Sequence, residues 1–285
     1  MDKHSHRMDG LNEMPQKKQI TTVDFIDLSV ITPKIMEIAK KAGTYIRQEL
    51  DQLLESHIET KEENSLVSYV DQNAEKLIVE GLSSLIEDAG FITEEATIDQ
   101  SQTKYWTWVI DPLDGTTNYI HKIPVFAVSI GLLKDGIPVA GVIYHIMADE
   151  CFYAWQGGGA WLNGQRIYVS KTSEIKDAVI ATGFPYKREN IEELVLTLKK
   201  MILIARGIRR LGSAAIDLAY TACGRFDAYY EGSINAWDVS AGIIIVREAG
   251  GIVTGLYGEE EPCFTRHILA ANPSIHSALR LIIKK

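Results

Sequence analysis

Two aspartates three residues apart, Asp111 and Asp114, lie in the segment Asp111-Pro112-Leu113-Asp114-Gly115-Thr116-Thr117-Asn118. Carboxylate oxygens are hard donors and suit magnesium, which shares its coordination among carboxylates, water and substrate phosphate. An aromatic and β-branched run over residues 105–110 leads into the segment, so it stands where a buried strand ends. Side chains three positions apart on an extended strand point to opposite faces. The two carboxylates therefore converge only if the chain turns at Pro112-Leu113. Gly115 then permits close backbone approach, and Thr116-Thr117 opens a helix whose unpaired N–H groups suit an anion. The segment thus offers a cation and a phosphate adjoining places. It equally reads as an Asp-Pro-Gly turn with no further duty.

Three more acidic positions fall at element ends. Glu94-Glu95 closes a short apolar run, Glu231 ends an aromatic one, and Asp238 follows Trp237 at the start of the apolar stretch 239–246. Each has an ordinary explanation. An acidic pair suits a solvated loop, and an aspartate at a helix start caps it and meets its dipole. Together with Asp111 and Asp114 they form a set at strand ends and helix starts, where the sites of layered α/β folds gather.

The surrounding pattern supplies the elements that position this set. Apolar residues at spacings of three and four predict a helix over 32–54, capped by Thr32 with Pro33 in its first turn, and a second over 71–88. Strands are expected at 91–93, 105–110, 125–133 and 137–147, the last two joined by Asp135-Gly136, with two more flanking Gly157-Gly158-Gly159. From residue 178 strands and helices alternate: strands 179–183, 208–211, 226–231 and 268–271, helices 189–204, 213–222 and 237–249, then a C-terminal helix. The expected organisation is a polar tail over 1–30, helices on a mostly antiparallel sheet over 31–180, and an α/β half over 181–285, as one compact unit without repeat or linker.

The chain has 285 residues and a formal net charge of -9. An acidic protein gains nothing from a phosphate backbone, which argues against nucleic acid as the primary ligand. A phosphate ester would need bound cations or a basic pocket. No stretch is long and apolar enough to span a bilayer, and the N-terminus lacks an apolar signal core, so neither membrane nor export is expected. Cys151, Cys223 and Cys263 are odd in number and far apart, which fits reduced thiols in the cytoplasm rather than a disulfide framework.

Glu94-Glu95, the segment 111–118, and Trp237-Asp238-Val239-Ser240-Ala241-Gly242 resemble the two signature regions of the inositol monophosphatases. Gly212-Ser213-Ala214-Ala215 and Tyr229-Tyr230-Glu231 look like their substrate-side segments, and the likeness runs in unchanged order from about Ile35 to the C-terminus. One departure is Thr93, where the family usually has glycine. The resemblance implies an alternating α-β-α-β-α sandwich of the inositol monophosphatase and fructose-1,6-bisphosphatase type. It implies magnesium, two or three ions, held by Glu94, Asp111, the Leu113 carbonyl, Asp114 and Asp238, with lithium as an inhibitor. Gly115 and Thr116 would bind phosphate through backbone N–H groups. Glu94 and Thr116 would orient and activate the attacking water, with Glu95, Asp71 and a supporting Lys61 nearby. Gly212, Ser213, Ala214 and Glu231 would meet the alcohol part of the substrate, and Leu113, Asp114 and Asp238 would also touch it. The implied reaction is hydrolysis of a small polyol phosphate by direct attack of water, with no phosphoenzyme, in a homodimer, for which the hairpin from Trp155 to Trp161 with its Gly157–Gly159 tip offers an apolar surface.

The alternatives divide by class. A haloacid-dehalogenase-type phosphatase needs Asp-x-Asp, and the spacing here is one residue longer. Relatives of the same fold handle fructose 1,6-bisphosphate, NADP, histidinol phosphate and nucleotide bisphosphates. A regulatory binding protein on the same scaffold is the remaining alternative.

Overall fold

A computed structural model describes residues 26–50, 69–101, 104–184 and 191–283. Two helices come first, α1 (Leu28–Leu50) and α2 (Tyr69–Ser83). The first begins earlier than its apolar pattern predicts, inside the expected tail, because Asp27 caps it. Asp27 Oδ1 accepts from the Ser29 N–H at 3.0 Å, and its carbonyl accepts from Val30 and Ile31. Thr32, the expected cap, instead donates its hydroxyl to the Leu28 carbonyl at 2.7 Å, and Pro33 lies within the helix. The stripe Ile31, Ile35, Ala39, Ala42 and Ile46 is buried.

The first sheet runs in chain order: β1 (Gly90–Thr93), β2 (Trp106–Asp114), β3 (Ala127–Lys134), β4 (Ile137–His145), β5 (Glu150–Trp155), β6 (Gly159–Leu162) and β7 (Gln165–Arg166). The first pair is parallel and the others are antiparallel. A short helix, α3 (Thr116–Ile120), follows β2 directly. Every residue of β2 is buried, since helices cover both faces of the sheet. Such strands read as continuous apolar runs.

The second sheet has the order β11-β12-β10-β8-β9, formed by β8 (Val179–Thr182), β9 (Gly207–Arg209), β10 (Ala228–Gly232), β11 (Ile252–Thr254) and β12 (His267–Ala271). The remaining helices are α4 (Ile191–Ile204), α5 (Ala214–Ala222), α6 (Ala236–Glu248) and α7 (Pro273–Ile283). Helices α1 and α2 pack on the outer face of the first sheet, α5 and α6 lie between the sheets, and α4 and α7 contact the second sheet. The result is the expected five-layer α-β-α-β-α order. Separate apolar clusters fill the spaces between layers. Strand β11 was not expected from the sequence, being only three residues long.

Close docking of α6 on the first sheet brings its N-terminus to β2. A Cβ on Gly131 would lie 2.4 Å from Ser240 Oγ, and one on Gly141 only 2.7 Å from the Ala241 backbone. Glycine at these two central-strand positions lets the helix sit directly on the sheet backbone.

Candidate active site

Strand β2 does not end at a turn before Asp114. It continues to Asp114 through a bulge, with Asp111 opposite Ser129 and Asp114 opposite Ala127. Three steps on β2 thus match two on β3, and the extra residue swings both carboxylates to one side. Asp238, on the first turn of α6, meets them there. One oxygen from each of Asp111, Asp114 and Asp238 lies within 4.8 Å of the others. Among the described residues this is the group of carboxylates able to hold a metal ion. All its donors are carboxylate oxygens, a hard set without histidine or thiolate that suits magnesium.

Burial raises each of these carboxyls, and like charges add to it at Asp111, Asp238 and Glu94. Burial and the neighbouring Glu94, Asp114 and Asp238 raise Asp111 well above the usual carboxylate range. Burial, Asp114 and Glu94 do the same to Asp238. Asp114 is pushed up to about 6 by burial, against hydrogen bonds from Ser213, Ala215 and Ala214 and the charge of Arg210. Glu94 reaches about 7 through burial and the like charges of Glu95, Asp114 and Glu75, partly offset by a hydrogen bond with Asp111. Two carboxyls joined in this way must share a proton, which a bound cation would displace. Glu94 is itself exposed to the cavity, so solvent softens the burial contribution, and the repulsion is the firmer cause.

Each ligand candidate is also held by its own element. Asp111 Oδ1 accepts from the Leu113 N–H at 3.0 Å. The Leu113 carbonyl accepts the Thr116 hydroxyl at 3.1 Å and retains a second lone pair. Asp238 Oδ2 accepts from the Asn235 N–H at 2.7 Å, half of a capping box, so the cap explanation and the cluster both hold. Gly115 adopts a φ of 97° at the start of α3. A Cβ there would meet the Val125 carbonyl at 2.9 Å and the Gly212 carbonyl at 3.3 Å, so α3 starts against the Gly212 loop. Asn118 ties the same two segments, donating to Val125 and Leu211 carbonyls at 2.7 and 2.9 Å.

A cavity of about 160 Å³ opens beside the carboxylates. It brings together Glu94, Asp114, Gly212, Ser213, Ala214, Glu231 and Asp238 from the expected set. Asp111 stands beneath it, buried, against Glu94 and Asp114. Asp71 is buried on the first turn of α2 and does not line the cavity. Lys61 lies outside the described residues. Glu231 accepts the Tyr229 hydroxyl and is pushed up to about 7 by burial and Asp114, opposed by Tyr229 and Arg210. Glu231 thus forms part of the cavity wall.

Sequence reasoning missed Asp217 and Phe184, which also line the cavity, as does Arg210, a candidate partner for Glu231. Asp217 is buried on α5 with one oxygen unpartnered, and burial, Glu231 and Asp114 hold its carboxyl well above its ordinary range. Its spacing four residues after Ser213 places the two on one helix face, but that this face meets Asp114 is shown only by the tertiary structure.

The profile of the inositol monophosphatase family matches residues 27–284. The chain belongs to the inositol monophosphatase family. It is a phosphoric monoester hydrolase of that type, and the family is metal-dependent. An inositol-1-monophosphatase of Mesorhizobium japonicum is 37% identical over 258 residues, covering 90% of this chain and 97% of that protein. A Nus factor SuhB of Xylella fastidiosa is 37% identical over 256 residues, covering 87% of this chain and 92% of that one. The crystal structure of the extragenic suppressor protein suhB from Bartonella henselae matches with a TM-score of 0.83 at 39% identity, over 90% of this chain and 99% of that one. Among the described residues no helix is long and apolar enough to cross a membrane.

Proposed function

We propose that this phosphatase uses magnesium to hydrolyse myo-inositol 1-phosphate or a similar small polyol phosphate by direct attack of water. The observation that carries the reading is the meeting of Asp111, Asp114 and Asp238 within 4.8 Å beside a polar cavity. Glu94, Asp111, the Leu113 carbonyl, Asp114 and Asp238 would hold two or three magnesium ions. When bound, the ions neutralise phosphoryl oxygens, acidify the attacking water and stabilise the leaving alkoxide. The residues do the rest. Gly115 and Thr116 offer backbone N–H groups to the phosphate at the start of α3. The Thr116 hydroxyl, fixed by its bond to Leu113, orients water, and Glu94 takes up a proton, with Glu95 and Asp71 shaping the nearby field. Gly212, Ser213, Ala214 and Glu231 face the alcohol. Lithium inhibits by competing within the same carboxylate set.

The intact acidic set favours turnover over a purely regulatory scaffold, the alternative that likeness to Nus factor SuhB proteins raises. The three free cysteines fit a cytoplasmic setting. A homodimer is part of the reading, although the apolar surface for it moves. The hairpin over 155–161 was the sequence candidate, but Trp161 stacks on Tyr153, and the hairpin tip bonds to Glu248. Helix α4 instead exposes Ile191, Val195, Leu196, Ile202 and Leu203, the last at 75%. A phosphate-release screen across myo-inositol 1-phosphate, fructose 1,6-bisphosphate, NADP and an adenosine bisphosphate tests the substrate. Highest kcat/KM on the inositol ester supports the reading, and preference for any other overturns it.

A further inference from the structure

We propose that Glu75, a residue of α2 outside the cavity, is a positioning residue whose carboxylate clamps the loop carrying Glu94 and so sets the affinity of the metal site; this rests on the reading of Glu94 as a ligand. Glu75 is fully buried. Its Oε1 accepts the Thr93 hydroxyl at 2.9 Å, the Thr97 N–H at 2.7 Å and the Thr97 hydroxyl at 2.6 Å. Its Oε2 accepts the Glu95 N–H at 2.8 Å. Four donors thus meet this carboxylate, three crowding Oε1 and one on Oε2. A buried charge is costly without such partners.

The donors are placed around Glu94 on both sides. Thr93 precedes it, and Glu95 and Thr97 follow. Between those two, Ala96 has a φ of 52°, in the left-handed region where a non-glycine residue is strained. The two N–H groups that flank this strained residue are the ones Glu75 accepts. On its other side Glu94 donates its own N–H to the Ile110 carbonyl at 3.2 Å, one residue before Asp111. Glu94 is therefore fixed to α2 and to β2 at once, which aims its carboxyl at Asp111. Thr93, in place of the family's usual glycine, adds to the clamp. Its hydroxyl joins Glu75, its N–H donates to Gln100 Oε1 at 2.7 Å, and Gln100 returns a bond at 3.1 Å. The charge of Glu75 also reaches Glu94 and adds to the negative field a cation would feel.

The experiment is calorimetric titration of magnesium into the metal-free full-length chain, comparing wild type, Glu75→Gln and Glu94→Gln. Groups that orient metal ligands cost about 10–100-fold in metal affinity when removed. Glu75→Gln is expected to weaken magnesium binding by that factor while circular dichroism stays native. A variant that melts earlier but binds magnesium as wild type does would show a merely structural role and overturn the proposal. Should Glu75→Gln fail to fold, Thr97→Val removes one donor and is expected to weaken binding about fivefold; a folded Thr97→Val with wild-type affinity would also overturn it. Unchanged binding in Glu94→Gln would instead remove Glu94 from the ligands, a distinct failure that takes the clamp's function with it.

Discussion

The Ser213 hydroxyl donates to Asp114 Oδ2 at 2.6 Å, joining residues 99 apart in sequence. The Ala215 N–H donates to the same oxygen at 2.7 Å. Asp114 therefore caps the start of α5 while its carboxylate faces Asp111 and Asp238. The helix between the sheets is thus tied directly to the candidate metal ligands. Asp114→Asn keeps one oxygen, which can accept from both of these donors, but loses the charge. It should lower kcat by roughly a hundredfold or more, because metal charge stabilisation is worth several kcal/mol. Ser213→Ala should cost about 1 kcal/mol of stability and much less turnover. Kinetics in saturating magnesium and melting of the metal-free variants separate the two. Near-normal turnover in Asp114→Asn would make Asp114 a helix cap only.

Stability of the metal-free protein should fall as pH rises from 5 to 7.5. Asp114, Glu94 and Glu231 stand at about 6, about 7 and about 7 when folded, against roughly 4 in an unfolded chain. The folded state then holds more protons than the unfolded state between those values, so stability drops with rising pH. Their contribution is complete below about 4 and lost once pH passes the folded values. Magnesium should restore melting temperature more at pH 7.5 than at pH 5, since fewer protons must leave. The buried His145 and His276, held below their ordinary range, oppose this trend below about pH 6.5 but are fewer than the raised carboxyls. A flat or rising profile for the metal-free protein in this window would contradict the raised carboxyls.

Much of the candidate site was legible because its carboxylates stand in short, recognisable segments. Asp111 and Asp114 share one segment, and Asp238 opens an apolar helix. The bulge that makes them converge was not legible, since register depends on β3 and not on the segment itself. Glu75 was hidden for a related reason. Its place on an ordinary amphipathic helix says nothing of the loop it meets, 18 to 22 positions on. Gly131 and Gly141 carry the same lesson, because only packing reveals that α6 needs the space. In the fold, the long periodic helices were found but their ends were not: α1 was begun too late for want of reading Asp27 as its cap, α2 was carried to 88 although it ends at Ser83, and three-residue β11 was invisible.

Glu231→Gln should separate substrates. A charge-assisted hydrogen bond to a substrate hydroxyl is worth roughly 1.5–3 kcal/mol, so kcat/KM on inositol phosphate should drop about ten- to a hundredfold. An aryl phosphate lacks those hydroxyls and should be hydrolysed almost as before. Assays of both at saturating magnesium decide it. Equal losses would leave Glu231 as a support for Tyr229 and the wall.

Light scattering at micromolar concentration should return twice the 31.8 kDa chain mass. Leu203→Lys on α4 should shift the protein toward monomer, since burying such a side chain is worth about 1.5–3 kcal/mol. A wild-type mass near 31.8 kDa would reject the dimer.

The most direct measurement of the central claim is phosphate release from myo-inositol 1-phosphate by chelator-treated protein titrated with magnesium. Release should be at background without metal and rise to saturation as magnesium is added, and Asp238→Asn should stay near background throughout. Undiminished release by the metal-free protein would contradict the assignment of Asp111, Asp114 and Asp238 as the ligands of a catalytic cation.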